Sequence, residues 1–273
     1  MNYSLEDWLD LGKDEICRIS GERVVTVVLY LNATRRWFQS QRQDWRLYWS
    51  IAGAAHREVS QLCYSYGINT LIQPFIGYDL LSRGQDYFDT TMKYLESLAD
   101  EDYFSWFVKN QIRVYFYGNW RGAMQERGYV ATAARLSEVM EETQGFSTHR
   151  LFIGLFADEG MDRIARLSQG VDDGQQLLRL YYGADMGAVD LIIGSGQPAI
   201  WDIPMLDINK ANLYFLQAPT FCLTDEGLRK ILYDHLFERR NDDEIQEILD
   251  PRSWENCAIL GLGKNTRRGW VAS

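Results

Sequence analysis

Histidine, cysteine and proline are scarce in this chain, and positive charge is in deficit. The three histidines, His56, His149 and His235, lie far apart without metal-ligand spacing, which argues against a zinc site. The four cysteines, Cys17, Cys63, Cys222 and Cys257, form no CxxC pair, and buried thiols in a reducing compartment are the expectation. Five prolines and 46% hydrophobic residues exclude collagen-like and largely disordered classes. No run of about 18 apolar residues exists, so no membrane-spanning helix is expected. Lysine and arginine number 28 against 38 acids, a net charge of −10. Such a surface repels phosphate backbones, which argues against nucleic acid as a partner. Any anionic small molecule must be met by a local group of cations. The segment from Met1 to Trp8 carries acids and no apolar stretch, unlike a signal peptide, and a cytoplasmic location is expected.

What the chain has in abundance is aromatic residues, 14% of its 273 positions. They make either a large aromatic core or an aromatic-lined ligand cavity. Six short apolar runs read as strands: residues 24–31, 68–76, 112–120, 150–157, 189–196 and 211–218. Most are nearly continuous in hydrophobicity, as in strands covered on both faces. Residues 44–66, 85–110, 158–182 and 224–240 carry apolar positions at three- and four-residue spacing and predict helices. Residues 122–145 predict one helix bounded by loops. This alternation predicts an α/β fold, a mainly parallel six-stranded sheet flanked by helices, in a single domain. A core over about 20–240 and a C-terminal extension over 241–273 complete the expectation.

Ligands of such folds bind beyond the carboxyl ends of the strands. Asn32-Ala33-Thr34-Arg35-Arg36-Trp37 follows the first strand directly. Two arginine forks, a threonine hydroxyl and the turn's N–H groups would make a phosphate cradle; the alternative is a surface pair facing the acidic exterior. Gly194-Ser-Gly-Gln-Pro198 is a glycine turn matching neither GxGxxG nor a P-loop. No GxSxG elbow is present. Asp242-Asp243-Glu244 sits in a polar run and reads as a solvated helix start, and Val171-Asp172-Asp173 reads as a loop. Tyr48 and Trp49 lie in the first crossover helix, as core residues or as site residues.

Leu31-Asn-Ala-Thr-Arg-Arg-Trp-Phe38, Gly67-Ile-Asn-Thr-Leu-Ile-Gln-Pro-Phe75 and Val189-Asp-Leu-Ile-Ile-Gly-Ser-Gly196 together resemble the cis-prenyltransferases. That family carries D-G-N-x-R-W after its first strand and R-T-x-G-E-x-R after its fifth. The likeness is greater to a divergent diterpene-synthase branch, the tuberculosinol and kolavelool synthases. That branch reads D-G-T-R-R-W-F at residues 32–38 and D-L-L-x-R-G at residues 79–84. Leu213-Tyr-Phe, Ala218-Pro219 and residues 228–235 resemble it too, so the likeness spans about 20–240.

The resemblance implies the cis-prenyltransferase fold, a homodimer, and one isoprenoid diphosphate held by Thr34, Arg35, Arg36 and Arg83. Magnesium is the implied cofactor. Tyr48, Asn32 and Asp79 fall at catalytic positions, and Trp37, Phe38, Trp49 and Tyr78 line the cavity. The departures are specific. Gly194 replaces the first arginine that holds a second diphosphate in the elongating enzymes. Ala199, Ile200 or Trp201 replaces the second, and Asn212 a glutamate that assists magnesium. Asn32 replaces the aspartate at the metal position, leaving three readings open: another acid such as Asp79 serves, the arginines suffice, or catalysis is lost. The expected reaction ionises a bicyclic diterpenyl diphosphate, of kolavenyl or tuberculosinyl type, and adds water to give an alcohol. The alternatives are transfer to a nucleoside or other nucleophile, and a non-catalytic subunit that binds prenyl diphosphate.

Overall fold

The structure, a computed structural model, describes residues 3–32, 34–41, 44, 47–82, 84–100, 103–157, 161–239, 262–266 and 269–272. Each of the six apolar runs forms a strand: β1 Thr26–Leu29, β2 Thr70–Gly77, β3 Ile112–Tyr117, β4 His149–Ala157, β5 Leu191–Ser195 and β6 Asn212–Leu216. They make one sheet in the order β3-β4-β2-β1-β5-β6, every pair parallel. The register sets Val27 beside Leu71 and Leu191, and Val28 beside Ile72 and Ile192. Every residue of β1 and β5 is buried. This is the physical reason their sequences run apolar without alternation. A small antiparallel hairpin, β7 Gly263–Thr266 and β8 Gly269–Ala272, stands apart from this sheet.

Helices cover both faces. In chain order they are α1 Leu5–Asp10, α2 Lys13–Gly21, α3 Thr34–Ser40, α4 Tyr48–Tyr64, α5 Gln85–Asp100, α6 Tyr103–Lys109, α7 Trp120–Glu126, α8 Val130–Glu142, α9 Met161–Leu167, α10 Gly174–Tyr182 and α11 Asp225–Tyr233. On one face Val27, Leu29, Leu71, Leu151 and Ile193 pack with Val59 and Cys63 of α4, Phe88 and Met92 of α5, and Leu228 of α11. On the other face Val28, Ile72, Phe152 and Ile192 pack with Tyr181 and Tyr182 of α10 and with Ile203 and Leu206. Aromatics fill much of both layers: Trp8, Tyr30, Tyr66, Phe88, Phe107, Tyr117, Trp120 and Tyr182 are among the fully buried side chains.

The helices differ from the sequence expectation where the chain breaks. The stretch 158–182 contains two helices; Gly170 adopts φ +79°, and the Asp173 carboxylate caps α10 by accepting from Gln176 N at 2.7 Å. Residues 122–145 likewise hold α7 and α8, parted at Gly128. The stretch 85–110 holds α5 and α6. Thr224 caps α11, which runs on as a π-helical turn over Asp234–Glu238. The acidic run at 242–244 lies outside the described residues.

The N-terminal helices α1 and α2 were not anticipated. They are fastened to α11 by Arg229, whose guanidinium donates to Leu9 O and Leu11 O at 3.1 and 2.8 Å and to the Asp225 carboxylate at 2.8 Å. The same Nε donates to the Tyr66 hydroxyl at 2.7 Å. Trp8, fully buried, returns a bond from its indole N–H to Arg229 O. A second buried network joins α4, β2 and α6. The Tyr103 hydroxyl meets His56 Nδ1, and His56 Nε2 meets Gln73 Oε1. Gln73 donates to Ser60 Oγ at 3.1 Å, and Ser60 donates to His56 O at 2.9 Å. Burial lowers the His56 pKa to about 4, against the opposing effect of the Gln73 bond and aided by nearby Arg57. The imidazole is therefore neutral at physiological pH.

Candidate active site

Topology locates the crevice. The chain leaves β1 for α4 on one face of the sheet, and leaves β5 for residues 196–211 on the other. Strands β1 and β5 are neighbours, so their carboxyl ends are a switch point, where open α/β sheets bind ligands.

Asn32 stands at this point and is bound to β5 twice. Its Nδ2 donates to Ser195 O at 2.7 Å, and the Ser195 hydroxyl donates to Asn32 Oδ1 at 2.6 Å. Immediately after it, Thr34, Arg35 and Arg36 form the first turn of α3. The side chains of Thr34, Arg35, Arg36 and Trp49 lie outside the described residues, as does Arg83 altogether. Two aromatic contacts fix α3. The Trp37 ring meets Phe221 edge-on at 4.8 Å, tying α3 to the loop after β6. Phe38 is buried and meets the Tyr48 ring at 5.1 Å and 70°. Tyr48, the first residue of α4, is 5% exposed, whereas Tyr78 is 44% exposed at the start of a 3-10 turn after β2.

That 3-10 turn, Tyr78–Ser82, also carries Asp79. A Cβ placed on Gly77 would stand 2.8 Å from Asp79 Oδ1 and 3.0 Å from Asp202 Oδ2. Two carboxylates therefore converge over the carboxyl end of β2, and only glycine leaves room for them. Asp202 is 7% exposed and adopts φ +54°, a strained region for a residue with a side chain. Its segment is strapped down by three tyrosines. The Tyr30 hydroxyl donates to Trp201 O at 2.7 Å and accepts from Trp201 N at 2.9 Å. Tyr117 donates to Asp202 O at 3.1 Å and Tyr182 to Pro204 O at 2.6 Å. Burial, then the neighbouring tyrosines and Asp202, holds the Tyr117 and Tyr182 hydroxyls well above the usual phenol range, so both remain donors.

The fifth-strand positions that lack arginine have a structural counterpart. In the β5–β6 register Gly194 faces Phe215, and a Cβ on Gly194 would come within 2.7 and 2.8 Å of the phenyl ring. Trp201 packs on Tyr30 with ring centroids 4.2 Å apart and planes tilted by 33°. Asn212 lies at the amino end of β6, where its Nδ2 is 2.8 Å from His235 Nδ1. It is about 13 Å along the strand from the crevice end, at about 3.3 Å per residue, so it does not match a metal-assisting glutamate there. Asp202 was not singled out in sequence, and Ser195 and Phe215 stood only within quoted motifs, without a role of their own. Only the glycine turn after β5 hinted at them.

Magnesium fits poorly at the position the resemblance assigns it. Both polar atoms of the Asn32 amide are engaged by Ser195. Among the described residues no group of three or more histidine, cysteine or acidic side chains could hold a metal ion. Among them, too, no helix is long and apolar enough to cross a membrane.

Comparison with known proteins agrees with this architecture. No protein-family model matches the chain. A tuberculosinyl adenosine transferase of Mycobacterium tuberculosis is 28% identical over 249 residues, covering 86% of this chain and 83% of that protein. A (+)-kolavelool synthase of Herpetosiphon aurantiacus is 26% identical over 225 residues, covering 77% and 75%. Among solved structures, a probable undecaprenyl diphosphate synthase of Campylobacter jejuni matches with TM-score 0.60 at 15% identity, over 78% of this chain and 95% of that one. Lavandulyl diphosphate synthase of Lavandula x intermedia, in complex with dimethylallyl diphosphate, matches with TM-score 0.60 at 13% identity, over 77% and 94%. The chain is an enzyme with the cis-prenyltransferase fold, and in sequence it resembles a tuberculosinyl adenosine transferase and a kolavelool synthase.

Proposed function

We propose that this enzyme ionises a single allylic diterpenyl diphosphate in the β1–β5 crevice and passes the cation to a nucleophile, without condensing a second diphosphate. The Phe215 ring over Gly194 carries this reading. It fills the space through which an arginine at that position would reach a second diphosphate. The loop after β5 contributes the Asp202 carboxylate, which stands over the carboxyl end of β2 and adds negative charge that disfavours a second anion. Each lost charge-assisted bond to a phosphate is worth about 1.5–3 kcal/mol, so the second anion has little to hold it.

In the proposed reaction Thr34, Arg35, Arg36 and Arg83 bind the diphosphate of the substrate. The allylic C–O bond breaks and its electron pair leaves with the diphosphate. Arginine bonds strengthen as charge accumulates there. The carbocation is stabilised by ring faces, for which Trp37, Trp49 and Tyr78 are the candidates. A nucleophile then forms the new bond and loses a proton; with water the products are a diterpene alcohol, diphosphate and that proton. Tyr48, behind α3, is the candidate to orient the nucleophile, and Asp79 stands across the crevice mouth as a candidate acceptor of the proton.

The two relatives name different outcomes, an adenosine transferase and a kolavelool synthase. Water capture of a kolavenyl- or tuberculosinyl-type cation remains the proposal, with transfer to a nucleoside as the second reading. A homodimer is part of the proposal and is tested by light scattering. The functional experiment incubates the enzyme with C10 to C20 allylic diphosphates, with and without adenosine. Products are read by gas chromatography–mass spectrometry for alcohols and by liquid chromatography–mass spectrometry for adducts. A diterpene alcohol unaffected by adenosine supports water capture, and a prenyl adduct supports transfer. Lengthened linear prenyl products overturn both.

A further inference from the structure

We propose that Asn32 is a positioning residue, an amide clasp that closes the β1–β5 switch point, and that this chain has no metal ligand at that position. The inference rests on the crevice being the reactive site, as above, but it concerns how the crevice is built.

The backbone ladder between β1 and β5 stops just short of Asn32. Leu29 pairs with Ile193, and Tyr30 N donates to Ile193 O at 2.9 Å. Beyond that point the two chains part to opposite faces of the sheet. Asn32 and Ser195 continue the pairing with side chains, one bond in each direction. Ser195 is 1% exposed, so its carbonyl and hydroxyl depend on protein partners. The clasp thereby fixes α3, with Arg35 and Arg36, relative to the loop that presents Asp202.

Only an amide completes both bonds. It offers a donor to Ser195 O and an acceptor to the Ser195 hydroxyl. An ionised carboxylate has no donor and would set a negative oxygen against Ser195 O at the 2.7 Å position now held by N–H. The asparagine is therefore matched to Ser195 and is more than a carboxylate that lost its charge. Its one metal-ligating atom, Oδ1, already accepts from Ser195, which leaves a neutral oxygen with a single lone pair for any cation.

The test combines metal binding with kinetics on the full chain. Mn2+ binding is read by electron paramagnetic resonance, with inorganic diphosphate present, for wild type, Asn32→Ala and Asn32→Asp. The proposal expects wild type and Asn32→Ala to bind Mn2+ within twofold of one another, with any gain confined to Asn32→Asp, which introduces a carboxylate. A tenfold loss in Asn32→Ala overturns it. Diphosphate release from a diterpenyl diphosphate is then measured for Asn32→Ala, Ser195→Ala and the double variant. Each single change is expected to lower kcat about tenfold with KM less affected, and the double variant to be no worse than the weaker single one. Ser195→Thr, which keeps the hydroxyl, is expected to stay within threefold of wild type. Losses that multiply in the double variant, or a Ser195→Ala variant at wild-type kcat, overturn the clasp. Should no diterpenyl diphosphate be turned over, the proposed reaction fails. The Mn2+ series and the same double-variant cycle read by thermal denaturation still decide on the clasp.

Discussion

Replacing Gly194 by alanine tests whether the second-diphosphate position is closed by packing. The new methyl would stand 2.7 Å from Phe215 Cε1 and 2.8 Å from Cδ1, well inside van der Waals contact. Gly194 is the fourth of the five residues of β5, all buried, and Phe215 is its register partner on β6. Either the ring swings away or the β5–β6 pairing loosens. Overpacking of this kind costs about 1–3 kcal/mol. For a chain of this size that lowers Tm by about 2–12 °C, at about 2–4 °C per kcal/mol. The strain belongs to one contact, so Phe215→Ala should remove it. In the Phe215→Ala background, Gly194→Ala should cost less than about 0.5 kcal/mol, leaving a coupling of about 0.5–3 kcal/mol in the double-mutant cycle. Urea unfolding of the four proteins measures all three quantities. A fully additive cycle, or a Gly194→Ala variant as stable as wild type, would refute the claim that Phe215 occupies the space.

Other perturbations follow from the same structure. His56 has a pKa of about 4 when folded against about 6.5 unfolded, so the unfolded chain binds the extra proton. The stability of the neutral form is complete above pH 6.5 and is lost as pH falls toward 4, by roughly 3 kcal/mol in all at about 1.4 kcal/mol per pH unit. His56→Gln should flatten that part of the stability–pH profile, and an unchanged slope would contradict the assignment. Arg229→Ala leaves the Leu9 and Leu11 carbonyls, Tyr66 and Asp225 without their shared donor and should cost about 3 kcal/mol, with increased exposure of Trp8 to fluorescence quenchers. Arg35→Ala and Arg36→Ala should each lower kcat about 10²-fold with a smaller effect on KM, and wild-type kcat in both would remove the arginines from the mechanism.

The centre of the sheet was legible because its inner strands are buried on both faces. Residues 24–31 and 189–196 read as continuous apolar runs for the same reason that β1 and β5 are wholly buried. Their ends were trimmed by one or two residues, where the ladder gives way to loops. Helix breaks were harder to see. The apolar spacing in residues 158–182 continues through Gly170 and Asp173, and the break depends on a left-handed glycine and a side-chain cap. The arginine turn was found from its place after a strand. Ser195 and Asp202 were not, since their partners are distant in sequence. Asn32 and Ser195 are 163 residues apart, and no local pattern announces a lateral pair between strand ends. Asn212 was read at the wrong end of the sheet. A motif match gives its neighbours in sequence, while strand direction sets which end of the sheet it reaches.

The central claim is that one diphosphate enters and none is added. The most direct measurement supplies a C20 bicyclic diterpenyl diphosphate together with excess radiolabelled isopentenyl diphosphate. Released diphosphate and organic products are then counted. The account predicts one diphosphate released per C20 product and no label in the organic phase. Label incorporated into products of C25 or longer would contradict it.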